Sequence, residues 1–248
     1  MPISFGPMLE VSSGDFMRFL SQFTILSLLL AVLVPLAYGG NLEDGLVAAE
    51  SGDFKTAHSL WLAEAEKGNP AAQGYLGILY LKGQGVAKDE QLALKWFRSA
   101  ADGGDATAQT NLGALYIQGQ SVEIDYDKAV HWFRLAGNQG DRNAQSYLGV
   151  MYARGQGVQQ SDAQAAKWFH MAARRGESKA QLSLGVMYDV GRGVAQNPVV
   201  ACAWYSLALE NGEATAQRAL ETTKKKMTEV EIEISEQIAE QLRMDIGR

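Results

Sequence analysis

The sequence is poor in the residues that build metal sites and disulfides. Its 248 residues include one cysteine, Cys202, and three histidines. The histidines His58, His131 and His170 lack the spacing of a zinc site, and a lone cysteine has no partner within the chain for a disulfide. We therefore expect no metal and no cofactor.

Positive charge and proline are also scarce. Lysine and arginine total 22 against 28 aspartates and glutamates, which gives a net charge of −6. Nucleic-acid binding rests mainly on cationic groups that displace counterions, so we expect no nucleic-acid partner. Five prolines stand against 26 glycines. This combination is typical of many short helices that end at glycine.

Catalytic motifs are missing as well. The sequence has no H-E-x-x-H, no G-x-S-x-G and no S-x-x-K. The G-x-G triplets that start at Gly83, Gly155 and Gly191 follow helical patterns rather than strands, and no Gly-Lys-Ser/Thr comes after them. These features indicate helix ends rather than phosphate loops, and we expect the protein not to be an enzyme.

One long hydrophobic run, residues 19–36, stands near the start. Met17-Arg18 precedes it, and the small residues Ala37 and Gly39 follow it. This order is typical of a signal peptide, so our hypothesis is translation from Met17 and cleavage after Gly39. Such a protein would be exported, to the periplasm or the medium. A run of this length can also just span a bilayer, which leaves a membrane anchor through residues 19–36 as the alternative.

A repeat of 36 residues dominates the rest of the chain. Leucine–glycine pairs recur at this spacing, and so do the tyrosines after them and the tryptophans further on. The pairs begin at Leu76, Leu112, Leu148 and Leu184, the tyrosines are Tyr80, Tyr116, Tyr152 and Tyr188, and the tryptophans are Trp96, Trp132, Trp168 and Trp204. A fixed period of this length indicates a stack of similar units.

Each unit has the pattern of two helices joined by a loop. Ala72, Leu76, Leu79 and Tyr80 form an apolar stripe with helical spacing, and the second half of the unit carries a stripe that includes its tryptophan. We expect these tryptophans to lie in the core. Ser121 replaces the second loop glycine of the other units, so we expect that loop to differ.

A second series, Gln73, Gln109, Gln145, Gln181 and Gln217, has two open interpretations. It is a ladder of ligand-binding amides or a set of hydrogen bonds to the backbone of the neighbouring unit. The second interpretation is favoured, because buried polar groups in folded proteins are nearly always paired.

The pattern A-x-x-x-L-G-x-x-Y, followed by G-x-G-V, a helix cap and A-x-x-W-F-x-x-A-A, resembles the Sel1-like repeat family. The resemblance implies an all-α fold, an α/α solenoid of antiparallel helix pairs that winds as a right-handed superhelix. It divides the chain into a signal region (1–39), an N-terminal capping half repeat (40–68), four repeats (69–212), and a partial repeat with a capping helix (213–248). Thr228 and Glu231 predict a capping box for that helix. Val230, Ile234, Ile238 and Leu242 form its apolar stripe.

The resemblance implies an adaptor that binds a protein or peptide on its concave face. Exported bacterial members of the family are associated with envelope complexes, and the absence of an N-x-Ser/Thr sequon favours a bacterial periplasm over the lumen of a eukaryotic organelle. The alternative function is a hydrolase, because some cysteine-rich relatives are associated with β-lactam binding or hydrolysis. Those relatives carry paired cysteines in each repeat, which this chain lacks.

The expected binding residues lie beside the core stripe of the first helices, which line the concave face in this superfamily. They are Tyr75, Lys82, Asn111, Tyr147, Arg154 and Lys179. Charge is uneven along the chain, because seven bases face three acids between Arg142 and Arg192. We therefore expect a partner with an acidic segment to be attracted to the later repeats.

Overall fold

Residues 40–119 and 121–246 are described by a computed structural model, so the expectations for residues 1–39 lie outside the described residues. The described part contains twelve helices and no strand. The first six are α1 (Asn41–Glu50), α2 (Phe54–Glu66), α3 (Pro70–Lys82), α4 (Glu90–Asp102), α5 (Ala106–Gln118) and α6 (Tyr126–Asn138). The others are α7 (Arg142–Arg154), α8 (Asp162–Ala173), α9 (Ser178–Val190), α10 (Pro198–Glu210), α11 (Ala216–Lys224) and α12 (Glu229–Ile246).

Each helix packs against the next one along the chain up to α11, so the predicted α/α solenoid of antiparallel helix pairs is confirmed. In the repeated units, α3, α5, α7 and α9 are the first helices, and α4, α6, α8 and α10 are the second helices. The expected half unit ahead of them contains two helices rather than one. Its second helix is α2, and α1 packs against it.

A glycine–aromatic contact joins the two helices of every repeated unit. A Cβ added to Gly77 would lie 2.6 Å from the ring of Phe97, which no real side chain tolerates. Glycine inside a helix costs about 1 kcal/mol in propensity, and this close approach explains why the units carry it. The equivalent contacts are Gly113 with Phe133, Gly149 with Phe169, and Gly185 with Tyr205.

The tryptophans are less buried than predicted. Trp96, Trp132 and Trp168 are half-buried, whereas the neighbouring phenylalanines Phe97 and Phe133 are fully buried. The phenylalanine fills the space over the helix glycine, so the tryptophan before it lies at the edge of the core. Among the repeated tryptophans only Trp204 is buried, in a cluster against which residues of α12 pack.

Ser121 has the same backbone conformation as its glycine counterparts, although a difference was expected here. Ser121 has a φ of +63°, in the left-handed region where its glycine counterparts Gly85 and Gly157 also lie. For a residue with a side chain this conformation costs free energy. The Ser121 hydroxyl donates to Glu90 over 2.9 Å, and its carbonyl accepts from Gln91 over 3.3 Å, which offsets that cost.

The C-terminal helix α12 packs on α10, and its predicted capping box is confirmed. The Thr228 amide donates to the Glu231 carboxylate over 2.8 Å, and the Glu231 amide donates back to the Thr228 hydroxyl over 3.3 Å. The predicted apolar stripe is wrong in its first half. Val230 is 65% exposed and Ile234 is 42% exposed, whereas Ser235 and Ala239 are buried. The buried side of α12, where it packs on α10, therefore carries the small residues Ser235 and Ala239. Small side chains allow two helices to approach more closely than branched ones do.

Candidate functional site

The first helices present a partly exposed surface, which we call the first-helix face. It consists of the partly exposed side chains beside the buried stripe of α3, α5, α7 and α9. Its members are Tyr75, Ile78, Lys82, Asn111, Ala114, Gln118, Asn143, Ser146, Tyr147, Val150, Arg154, Lys179, Ser183, Val186 and Val190.

A cavity of about 300 Å³ opens on this face between α5, α7 and α9. It arises because side chains on either side of Tyr147 are small. Ala114 stands where the first unit has Ile78, and Ser183 stands one repeat after Tyr147. These small residues leave open space beside the Tyr147 ring. The side chains that line the cavity include Asn111, Asn143, Tyr147, Glu177, Lys179 and Ser183.

Tyr147 forms the rigid part of the cavity wall. Its ring stacks on Phe133, with centroids 4.7 Å apart and planes at 12°. Phe133 is fully buried and lies over Gly113. The tyrosine ring therefore stacks on a side chain of the close-packed core. The side chain remains 37% exposed. An aromatic ring held in this way can contact a ligand at a low cost in side-chain entropy.

Three polar side chains of the cavity lining have no partner among the described residues. Within the described residues, the side-chain amides of Asn111 and Asn143 make no hydrogen bond, and Lys179 makes no ion pair. Glu177 also lines the cavity, but its carboxylate accepts the amide of Ala180 and so caps the N-terminus of α9. Glu177 therefore adds a negative charge to the lining, beside the positive charge of Lys179.

Charge is close to balanced on both sets of helices once the helix caps are included. The first helices α3, α5, α7 and α9 carry four basic residues and one acidic residue. The second helices α4, α6, α8 and α10 carry five of each. The N-caps of α5, α7 and α9 are the acids Asp105, Asp141 and Glu177, so the first helices and their caps together carry four basic and four acidic residues.

The structure brings together three of the six residues expected to bind a partner. Asn111, Tyr147 and Lys179 line the cavity. Lys82 and Arg154 lie exposed in the last turns of α3 and α7, outside it. There a positive charge also interacts favourably with the C-terminal end of the helix dipole.

Tyr75 has a different environment. Its ring stacks on Trp61 of α2, with centroids 4.6 Å apart, and it belongs to the N-terminal core cluster. It is therefore a packing residue as well as a member of the first-helix face. Asn143, in contrast, lines the cavity and was not among the six. Asn143 lies four residues before Tyr147 and so on the same side of α7. This spacing could have identified it as a residue of the cavity.

The glutamine series is structural. Gln73, Gln109, Gln145 and Gln181 each donate a side-chain hydrogen bond to a backbone carbonyl near the end of the preceding second helix, over 2.8 to 3.1 Å. This confirms the favoured interpretation for these four residues. The amide oxygens of Gln109 and Gln181 also accept from Gln139 and Asn211, respectively. The oxygen of Gln145 has no partner among the described residues, because the residue equivalent to Gln139 and Asn211 is Arg175, whose guanidinium donates to the Met171 carbonyl instead.

Two other cavities lie among the second helices and the loops. One, of about 550 Å³, surrounds Arg134, whose guanidinium donates to the Tyr152 hydroxyl over 2.8 Å. The other, of about 470 Å³, is lined by His170 and Met171. Burial lowers the pKa of His170, and the charge of Arg174 lowers it further, so His170 is neutral near pH 7. Neither cavity joins a nucleophile to a base.

The described residues hold no group of three or more histidine, cysteine, aspartate or glutamate side chains that could bind a metal ion. None of the described helices combines the length and apolar character needed to cross a membrane.

Comparison with known proteins assigns the repeats. The family described as Sel1 repeat matches four consecutive segments, residues 70–105, 106–141, 142–177 and 178–213. Among curated proteins none matches the chain.

Two crystal structures are similar over most of the chain. The protein c5321, described as a protective antigen of uropathogenic Escherichia coli strains with an SLR fold, is 38% identical over 83% of this chain, with a TM-score of 0.75. The chain spans 44% of the length of that protein. A Sel1 repeat protein from Oxalobacter formigenes is 33% identical, with a TM-score of 0.69 and coverage of 73% and 72% of the two chains.

Proposed function

Since the chain belongs to the Sel1 repeat family, whose solenoids are typically protein-interaction scaffolds, we propose that it is a non-enzymatic adaptor of the bacterial cell envelope that holds a protein partner on its first-helix face. The observation that carries the proposal is the cavity between α5, α7 and α9. It combines a fixed aromatic ring with unpaired amides and a free cation.

The packing of the stack supports this choice of face. The first helices of adjacent units contact each other directly, α3 with α5 and α7 with α9. Helices that approach closely from unit to unit lie on the inner side of a curved stack, and solenoids bind their partners on that concave side. Tyrosine, asparagine and arginine on such a surface provide contact area and hydrogen bonds.

The excess of bases over acids between Arg142 and Arg192 supports a partner with an acidic segment. Opposite charges increase the rate of encounter and fix the orientation of the partner more than they increase affinity. The placement in the periplasm rests on the hydrophobic run of residues 19–36 and the small residues after it, which are typical of an export signal. Intact mass of the exported protein tests that placement, because cleavage after Gly39 leaves a chain that begins at Gly40.

The test of the adaptor is capture of a partner from an envelope extract, followed by binding measurements with two triple variants. The first replaces Asn111, Asn143 and Lys179 with alanine and leaves the stacked Tyr147 in place. We expect the affinity for the captured partner to fall at least about tenfold, because such polar anchors hold an interface together. The melting temperature should change little, since these side chains make no hydrogen bonds within the described fold.

The matched control replaces Arg98, Arg134 and His170, which occupy one equivalent position on three second helices. This variant should bind the partner like the unmodified protein. Loss of binding in the control with normal binding in the first variant would show that the second helices form the interface. Turnover of a small molecule by the purified protein, with no partner captured, would contradict the adaptor.

A further inference from the structure

We propose that the cavity of about 470 Å³ between α8, α9 and the loop after α9 binds a small molecule that carries one aromatic or branched apolar group and one carboxylate. We call this cavity the Tyr188 pocket. The residues of its lining that carry the argument are Ala166, Lys167, His170, Met171, Leu184 and Tyr188. The pocket lies among the second helices, so this inference goes beyond the proposed function and does not depend on it.

Two alanines of α8 open the Tyr188 pocket, because the earlier second helices carry larger side chains at the equivalent positions. At Ala166 the equivalents are His58, Leu94 and Val130, and at Ala163 they are Gln91 and Asp127. The two alanines lie three residues apart, so volume is removed from one side of α8. The pocket therefore reaches the core leucine Leu184, whereas the cavity at Arg134 does not reach the equivalent Leu148.

The same replacements leave hydrogen-bonding groups of the wall unused. In two earlier units the equivalent tyrosine hydroxyl has a partner, Tyr80 with His58 over 2.9 Å and Tyr152 with Arg134 over 2.8 Å. Among the described residues, neither the Tyr188 hydroxyl nor the His170 imidazole makes a hydrogen bond. His170 packs edge-on against the buried Trp204, with ring centroids 6.0 Å apart, so its place in the wall is fixed. A neutral imidazole and a hydroxyl can each donate or accept.

The charge of the pocket favours an anion. Among the described residues of the lining, Lys167 is the only one with a formal charge, and it is exposed and makes no ion pair. The nearby carboxylate of Asp162 pairs with Arg192 over 2.8 Å. Asp189, which follows Tyr188, accepts from Thr223 of α11 over 3.3 Å. A ligand carboxylate therefore meets one unpaired cation and no acid in the lining.

The apolar part of the lining and its volume define the rest of the ligand. Leu184, Met171 and Val194 provide aliphatic contact, and the flexible methionine adapts to the shape of a bound group. A volume of about 470 Å³ falls within the range of small-molecule pockets, roughly 300–1,000 Å³. Lys167 and His170 lie three residues apart on α8, so a carboxylate at the lysine leaves the apolar group of the ligand beside the imidazole.

The probes for the test are phenylacetate, its neutral analogue phenylacetamide, and acetate, which lacks the apolar group. Methyl NMR of the whole protein with isotope-labelled methionine follows binding at Met171, whose signal is assigned by its loss in Met171→Leu. We expect phenylacetate to shift this signal in a saturable manner. Phenylacetamide should bind about fivefold more weakly, the size of an exposed charge pair, and acetate should cause no shift at the same concentration.

His170→Arg should close the pocket. It restores the residue that the two preceding units carry as Arg98 and Arg134, and the longer side chain can fill the space and donate to the Tyr188 hydroxyl as Arg134 does to Tyr152. We expect the affinity for phenylacetate to fall at least about tenfold, with an unchanged melting temperature because position 170 is partly exposed.

A lysine pair separates the charge from the cavity. Lys167→Ala should make phenylacetate and phenylacetamide bind equally. The matched control is Lys95→Ala, because Lys95 is an exposed lysine at the equivalent position of α4, and it should leave the fivefold difference unchanged.

An unshifted Met171 signal with phenylacetate, or normal binding by His170→Arg, would overturn the site. Equal binding of phenylacetate and phenylacetamide by the unmodified protein would overturn the recognition of a carboxylate. A shift of the Met171 signal by the captured protein partner, with none by phenylacetate, would assign the pocket to a side chain of that partner and overturn the small-molecule site. The adaptor is tested separately, by the two triple variants.

Discussion

The glycine–aromatic contact between the two helices of each unit, which we call the seam, is the same in every unit, whereas the first-helix face varies from unit to unit. The glycine–aromatic contact recurs in all four units, and in each a Cβ added to the glycine would lie 2.6 to 2.7 Å from the ring. The first-helix face changes at every step, with Tyr75, Asn111, Tyr147 and Ser183 in one equivalent position. A stacked fold needs the same contact at each interface, whereas recognition of one partner needs a surface that differs along the stack. The repeated positions therefore hold the fold, and the varied ones are where we place function.

The largest effect should come from the aromatic side of the seam. Phe133→Ala should lower the free energy of unfolding by about 3–5 kcal/mol, because the ring is fully buried and its loss leaves a cavity. Asn111→Ala on the first-helix face should change it by no more than about 0.5 kcal/mol. Urea unfolding followed by circular dichroism measures both. Similar losses in the two variants would erase the distinction between seam and face.

The glycine side of the seam should show a smaller effect of the same sign. Gly113→Ala places a methyl group 2.7 Å from the Phe133 ring, and overpacking of this kind costs about 1–3 kcal/mol. The matched control is Gly137→Ala, also in a helix, where the nearest atom would be 3.3 Å away. There the gain in helix propensity, about 1 kcal/mol, should offset the tighter contact. If thermal unfolding places Gly113→Ala above the unmodified protein, the seam is not as close as described.

A stabilising variant should follow at Gln145, whose buried side-chain oxygen has no partner among the described residues. One repeat earlier, Gln139 donates to the side-chain oxygen of Gln109. Arg175→Gln places a glutamine at the equivalent position, where its amide can donate to the unpaired oxygen of Gln145. We expect a gain of about 1 kcal/mol, the net worth of one buried hydrogen bond. Gln145→Ala in the same background should remove the gain. An additive double-mutant cycle would show that residues 145 and 175 do not interact.

Much of the fold could be predicted from the sequence because its signals are periodic. The spacing of Leu76, Leu112, Leu148 and Leu184 defines the helix pairs, and Gln109 was correctly assigned to the backbone of its neighbour. The burial of adjacent residues was harder to predict. Trp96 and Phe97 both fit the apolar stripe, and only the position of Gly77 in space shows which ring lies over it.

The candidate site was predicted only in part, for two physical reasons. Helical spacing identifies the side of a helix but not what the neighbouring units place beside it, so the stacking of Tyr75 on Trp61 was not visible. A cavity depends on small residues as much as on binding ones. Ser183 and Ala114 attract no notice in a sequence, although they create the space in which Asn111, Tyr147 and Lys179 meet.

The most direct test of the central claim is site-specific photocrosslinking to the captured partner. A benzophenone amino acid replaces Asn111 on α5 in one protein and Arg98 on the second helix α4 in another. Both positions are accessible, so reactivity reports the location of the partner. The account predicts a crosslinked adduct of the partner from position 111 and none from position 98. An adduct from position 98 alone would contradict it.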